Sequence, residues 1–175
     1  MRIFTMIIAL FVFSSLDAQE APSNWNVAES KYISIEYPSD YKINHFGETK
    51  IVMNGFEPLE SGVDQFKENF GVIIKDLADK PMSLEEFAKA TRKELESAKT
   101  NVPEIERFEE IQTPAGPAYQ IEYRMELNGI QFYQYLRLFV KNNLGYNILY
   151  TTENQRKTYH TEIIERMFNS VKLKS

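Results

Sequence analysis

Cysteine is absent from this 175-residue chain. That excludes disulfide staples, thiolate metal sites and a thiol nucleophile, so stability must come from packing. It also excludes a bacterial lipid anchor, which needs a cysteine after the leader. Basic runs are missing too: 20 Lys and Arg stand against 25 Asp and Glu, a formal charge of -5. A mildly acidic chain without a basic stripe is a poor match for nucleic acid or anionic membrane surfaces. The seven glycines are scattered and never reach the spacing of a phosphate-cradling loop. No serine sits in a Gly-x-Ser-x-Gly context. Only two histidines and one tryptophan occur.

What is present begins with an address. Residues 1–19 open with Arg2, continue through an apolar run from Ile3 to Phe13, and exit through Leu16-Asp17-Ala18 before Gln19. This is the layout of a secretory signal peptide, and the run is shorter than the ~20 apolar residues that span a bilayer. No second apolar segment marks a membrane anchor. The expectation is a cleaved leader over 1–19 and a secreted or periplasmic single domain over 20–175, long enough to bury a core. With 43% hydrophobic and 13% aromatic residues, the composition is that of a globular protein.

Periodicity then assigns elements. Lys31–Tyr37 alternates as a strand, with Ile33, Ile35 and Tyr37 on one face, and Pro38-Ser39-Asp40 closes it. Lys50–Met53 and Phe66–Leu77 are further strands, and Gly55–Asp64 reads as a loop. Leu84–Lys99 reads as a helix. Ser83 and Glu86 form its capping box, Met82 and Phe87 its hydrophobic staple, and Leu84, Phe87, Ala88, Thr91, Leu95 and Ala98 its apolar stripe. A strand over Glu104–Gln112 follows.

Asn128-Gly129, the type I′ pair, joins two long alternating segments. A two-residue loop there places Leu127 opposite Ile130 and, by extension, Met125 opposite Phe132 and Ile121 opposite Leu136. A second reversal at Asn142-Asn143 sets Phe139 against Tyr146 and Tyr135 against Tyr150. The sheet centre is then apolar on both sides and needs cover on both. A C-terminal helix, capped by Thr158 or Asn154, supplies it with Tyr159, Ile163, Ile164, Met167, Phe168 and Val171. The fold class expected is α+β: an α/β/α sandwich with a helix layer on each face of a mostly antiparallel sheet.

Several stretches, taken in order, carry a family resemblance. Tyr32-Ile33-Ser34-Ile35-Glu36-Tyr37-Pro38-Ser39-Asp40-Tyr41 resembles the opening strand and turn of PsbP-like domains. Ser83-Leu84-Glu85-Glu86-Phe87 resembles their first-helix cap. Gly116-Pro117-Ala118-Tyr119-Gln120-Ile121-Glu122-Tyr123, Gly145-Tyr146-Asn147-Ile148-Leu149-Tyr150 and Met167-Phe168-Asn169-Ser170-Val171 resemble their later strands and helix end. The resemblance covers the chain from about Trp25 onward. It implies the same sandwich and a partner-binding role. It supplies no shared catalytic set.

Candidate chemistry is sparse. His45 and His160 are read as two unrelated surface histidines, since zinc needs three or four ligands. Glu57, Glu60 and Asp64 are read as a solvated acidic loop, because they lack the alternating oxygens of a calcium loop. Tyr133, Tyr135, Arg137, Arg124 and Glu122 share a sheet face with the composition of an interaction surface. The plainer reading is that the C-terminal helix covers it. Trp25 is read as a core plug pinning the N-terminal segment. No catalytic residue, metal site, cofactor or specific binding residue is assigned. The leading expectation is an exported, non-enzymatic module engaging an unknown protein or envelope component. The alternative is a carrier of an apolar small molecule between sheet and helix; a hydrolase using His45 or His160 ranks last.

Overall fold

The computed structural model describes residues 24–45, 51–59, 66–98 and 101–174. The expected leader over 1–19, and Glu60 and Asp64, lie outside the described residues. The chain enters through β1 (Trp25–Glu29), β2 (Ile33–Pro38), β3 (Lys42–His45), β4 (Ile51–Phe56) and β5 (Asn69–Asp76). Helix α1 (Leu84–Glu96) follows, then β6 (Glu104–Thr113), β7 (Gly116–Leu127), β8 (Ile130–Lys141) and β9 (Leu144–Glu153). A 3-10 turn (Asn154–Arg156), helix α2 (Lys157–Asn169) and the short β10 (Lys172–Leu173) complete it.

Seven strands form one sheet in the order β3-β4-β5-β9-β8-β7-β6, and β1-β2-β10 form a second, small one. Every pairing is antiparallel. The β7–β8 register is the one the Asn-Gly turn dictates: Leu127 faces Ile130, Met125 faces Phe132 and Ile121 faces Leu136. Asn128 and Gly129 both take positive φ, 54° and 82°, as a type I′ turn requires. Asn142 and Asn143 do the same at 51° and 57°, and Tyr135 faces Tyr150 across β8 and β9.

Both faces of the large sheet are roofed. Helix α1 starts at the expected capping box: Ser83 Oγ accepts from the Glu86 amide (3.2 Å) and Glu86 Oε2 from the Ser83 amide (2.8 Å). Its buried Phe87 and Ala88 pack on Tyr119, Ile121, Tyr123, Leu136 and Leu138. The opposite face buries Phe70, Val72, Tyr133, Phe139, Tyr146 and Ile148 against Ile163, Ile164, Met167 and Phe168 of α2. The small sheet joins that second layer through Ala28, Ile33 and Ile35.

Four features depart from the sequence reading. Trp25–Glu29, which periodicity leaves unassigned, forms β1 and pairs with β2 from Trp25–Pro38 to Glu29–Ser34. On the polar face of β2, Ser34 is buried beside Ile33 and Ile35 while Glu36 reaches solvent. Trp25 is only half-buried: it lies on the rim of the core, with the Arg166 guanidinium 4.1 Å from its ring. Neither Thr158 nor Asn154 caps α2, which continues directly out of the 3-10 turn with Arg156 at the cap position and no side-chain cap bond.

Candidate functional site

At one end of the large sheet, three neighbouring strands and the start of α2 bring polar side chains together beneath the helix. Alternation along β5 puts Phe70, Val72 and Ile74 inward, and continuing it backward puts Glu68 on the same face. On β4 the inward series Met53, Gly55 continues to Glu57 just past the strand end. The backbone joins the two: the Glu57 amide donates to the Glu68 carbonyl at 2.9 Å. On β9, Tyr146, Ile148, Tyr150 and Thr152 face the same layer, and the first turn of α2 lowers His160 onto them.

The resulting cluster is sealed from solvent. His160 is 0% exposed, Glu68 1% and Glu57 7%. Arg156 Nη1 donates to Glu68 Oε2 at 2.8 Å, and Thr152 Oγ1 donates to Glu68 Oε1 at 3.2 Å. Tyr150 Oη lies 3.1 Å from His160 Nδ1 and 2.6 Å from Tyr41 Oη, so a hydrogen-bonded file runs from Tyr41 through Tyr150 to the imidazole. Among the described residues His160 Nε2 has no hydrogen-bond partner; it stands 3.7 Å from Glu68 Oε1 and 3.9 Å from Glu57 Oε2.

Burial governs the electrostatics here. It pushes the His160 imidazole down to about 3, assisted by the nearby Arg156 charge, so the ring is neutral at physiological pH. Burial raises Glu68 above the ordinary carboxylate range, while Arg156 opposes that rise. Burial also raises both Tyr41 and Tyr150, which remain phenols.

Sequence reasoning placed the members of this cluster elsewhere. His160 is core rather than surface, and Glu57 is buried rather than part of a solvated loop. The two histidines were not expected to act together; His45 ends β3 opposite Met53. Glu68 falls within the strand that periodicity assigns to Phe66–Leu77. A signal existed for His160: with Ile163, Ile164 and Met167 it stands at i, i+3, i+4 and i+7.

The aromatic–arginine face has a different fate. Tyr133, Tyr135 and Arg137 are buried under α2, as the plainer reading held. Arg137 Nε donates to Gln120 Oε1 and its Nη1 to Asn169 Oδ1, each at 3.0 Å, and its guanidinium lies 4.9 Å from the Phe168 ring. Tyr133 Oη donates to Glu106 and Glu122 at 2.9 Å. Arg124 and Glu122 reach the margin, where Arg124 pairs with Glu104 and Glu106, and Glu122 with Arg107. Among the described residues no helix is long and apolar enough to cross a membrane.

This arrangement, one helix on one face of an antiparallel sheet and a second helix with a small sheet on the other, is the PsbP-like fold. The solution structure of cyanobacterial PsbP (CyanoP) from Synechocystis sp. PCC 6803 matches at TM-score 0.63 and 14% identity, over 92% of this chain and 98% of that one. The crystal structure of LpqN, involved in cell envelope biogenesis of Mycobacterium tuberculosis, matches at TM-score 0.60 and 7% identity, over 87% and 91%. No protein-family model matches the chain, and no curated protein matches it. At such identities the likeness is one of fold.

Proposed function

We propose that the chain is an exported, non-enzymatic binding module that engages a protein or envelope partner through its outer surface. The observation that supports this reading most is the burial of the Glu57, Glu68 and His160 cluster. A general acid or base must come within hydrogen-bond reach of a substrate proton. Here Glu57, Glu68 and His160 face one another inside the protein. The export leader read over 1–19 and the envelope role stated for LpqN point to the same compartment.

The carrier reading has one feature in its favour. A groove of about 250 Å³ opens beside α1 between Ile73, Leu95, Tyr123, Leu136 and Leu149. Ligand pockets generally run from about 300 to 1,000 Å³, and this groove is open rather than enclosed. The layer between the sheet and α2 is filled by Tyr133, Tyr146, Phe139 and Phe168, each under 2% exposed.

In-cell cross-linking of the full chain, followed by capture from its own envelope fraction, tests the proposal. A partner recovered saturably, with the chain free of small-molecule mass in native mass spectrometry, is the expected result. A retained lipid-sized mass turns the assignment to the carrier. A measured turnover overturns both.

A further inference from the structure

We propose that Glu57, Glu68 and His160 hold one divalent transition-metal ion of the zinc class, as a buried structural centre independent of whichever partner the outer surface binds. One donor atom from each residue lies within 4.8 Å of the other two. Zinc binds imidazole nitrogen and carboxylate oxygen at about 2.0–2.2 Å, so two ligands of one tetrahedral ion stand about 3.3–3.6 Å apart. The separations from His160 Nε2, 3.7 and 3.9 Å, need a contraction of only a few tenths of an ångström.

The independent pointer to a ligand is His160 Nε2 itself. It is buried, makes no hydrogen bond and is aimed between two carboxylates. A buried polar atom normally has a partner. If Nε2 carries the lone pair, it faces two electron-rich oxygens, an arrangement that a cation between them relieves. If Nε2 carries the proton, the oxygens stand too far away to accept it well.

The surroundings match what a ligating histidine requires. Its other nitrogen, Nδ1, is held by the Tyr150 hydroxyl, which is in turn held by Tyr41; such an outer bond fixes ring orientation at metal centres. On Glu68 the duties divide. Oε2 takes Arg156, and Oε1, which accepts from Thr152, lies toward the imidazole. One imidazole with two carboxylates favours zinc over calcium or magnesium, which prefer all-oxygen sites.

Because the site is enclosed, metal enters as the protein folds. The full chain is therefore refolded with and without Zn²⁺, desalted and analysed for metal content. Zinc affinity is then measured by competition with a chromophoric chelator. The expected result is one zinc per chain, a higher thermal midpoint than the metal-free protein, and no displacement by millimolar Ca²⁺. Glu57→Gln, nearly isosteric, and His160→Asn should each weaken zinc at least tenfold, since even outer-shell losses cost 10–100-fold. A wild-type chain refolded in zinc that retains none overturns the proposal. So does zinc retained with unchanged affinity in folded Glu57→Gln, which decides the matter even where His160→Asn fails to fold.

Discussion

Beneath α1 the large sheet presents Tyr119, Ile121, Leu136 and Leu138; beneath α2 it presents Gln120, Arg137, Tyr150 and Thr152 among its aromatics. These two coats share the same strands, with alternate residues turned to each. The α1 side is held mostly by apolar contacts without direction, with Thr91 and Asn147 among its few buried polar side chains. The α2 side buries groups that stay satisfied only if particular partners arrive, such as Gln120 and Asn169 at Arg137. Apolar burial therefore supplies bulk stability on both faces. The polar contacts fix where α2 and the small sheet must sit.

Removing a ring should expose what the two faces have in common. Phe87→Ala on the α1 side and Phe168→Ala on the α2 side should each cost about 3–5 kcal/mol in urea unfolding, because both rings are buried. A loss below about 1 kcal/mol for either would show that its helix is not a true roof.

The next substitution separates the faces. Arg137→Met strips the buried Gln120 Oε1 of its donor and should cost about 1–3 kcal/mol. Leu138→Met, one residue along and on the opposite face, should cost less than about 1.5 kcal/mol. Equal losses from the two would erase the contrast.

The smallest effect lies at the α1 terminus. Ser83→Ala should cost about 1 kcal/mol by removing the N-cap acceptor. Glu86, held by the Ser83 amide, has its carboxyl lowered from the usual range. Its contribution is present above the unfolded-state value and is lost as pH falls through the folded one. The stability gap between wild type and Glu86→Gln should therefore be open at pH 7 and close toward pH 3, measured by thermal unfolding at each pH.

The sequence was most legible where local chemistry dictates geometry. The Asn128-Gly129 turn fixes a register, which then assigns every side chain of β7 and β8 to a face. The Ser83–Glu86 box marks a helix start within four residues. By contrast, β10 is short and finds its partner through the rest of the fold; Lys172 pairs with Ser34, far back in the chain. The start of α2 carries no capping residue to read.

The candidate site was hidden for a different reason. Glu57, Glu68 and His160 are polar by type and were assigned by type. Each nevertheless extends an inward series: Met53-Gly55-Glu57, Glu68-Phe70-Val72, and His160 with Ile163 and Ile164. Position outranked hydropathy at all three, and only neighbouring elements could make their burial tolerable.

The meeting of β10 with β2 also constrains how the molecule comes into being. A chain made from its N-terminus holds a strand of the small sheet waiting, one edge uncovered, until nearly the whole length has emerged. Contacts this distant in sequence close slowly and near the end of folding. The arrival of Lys172 and Leu173 beside β2 is thus the step that seals the small sheet.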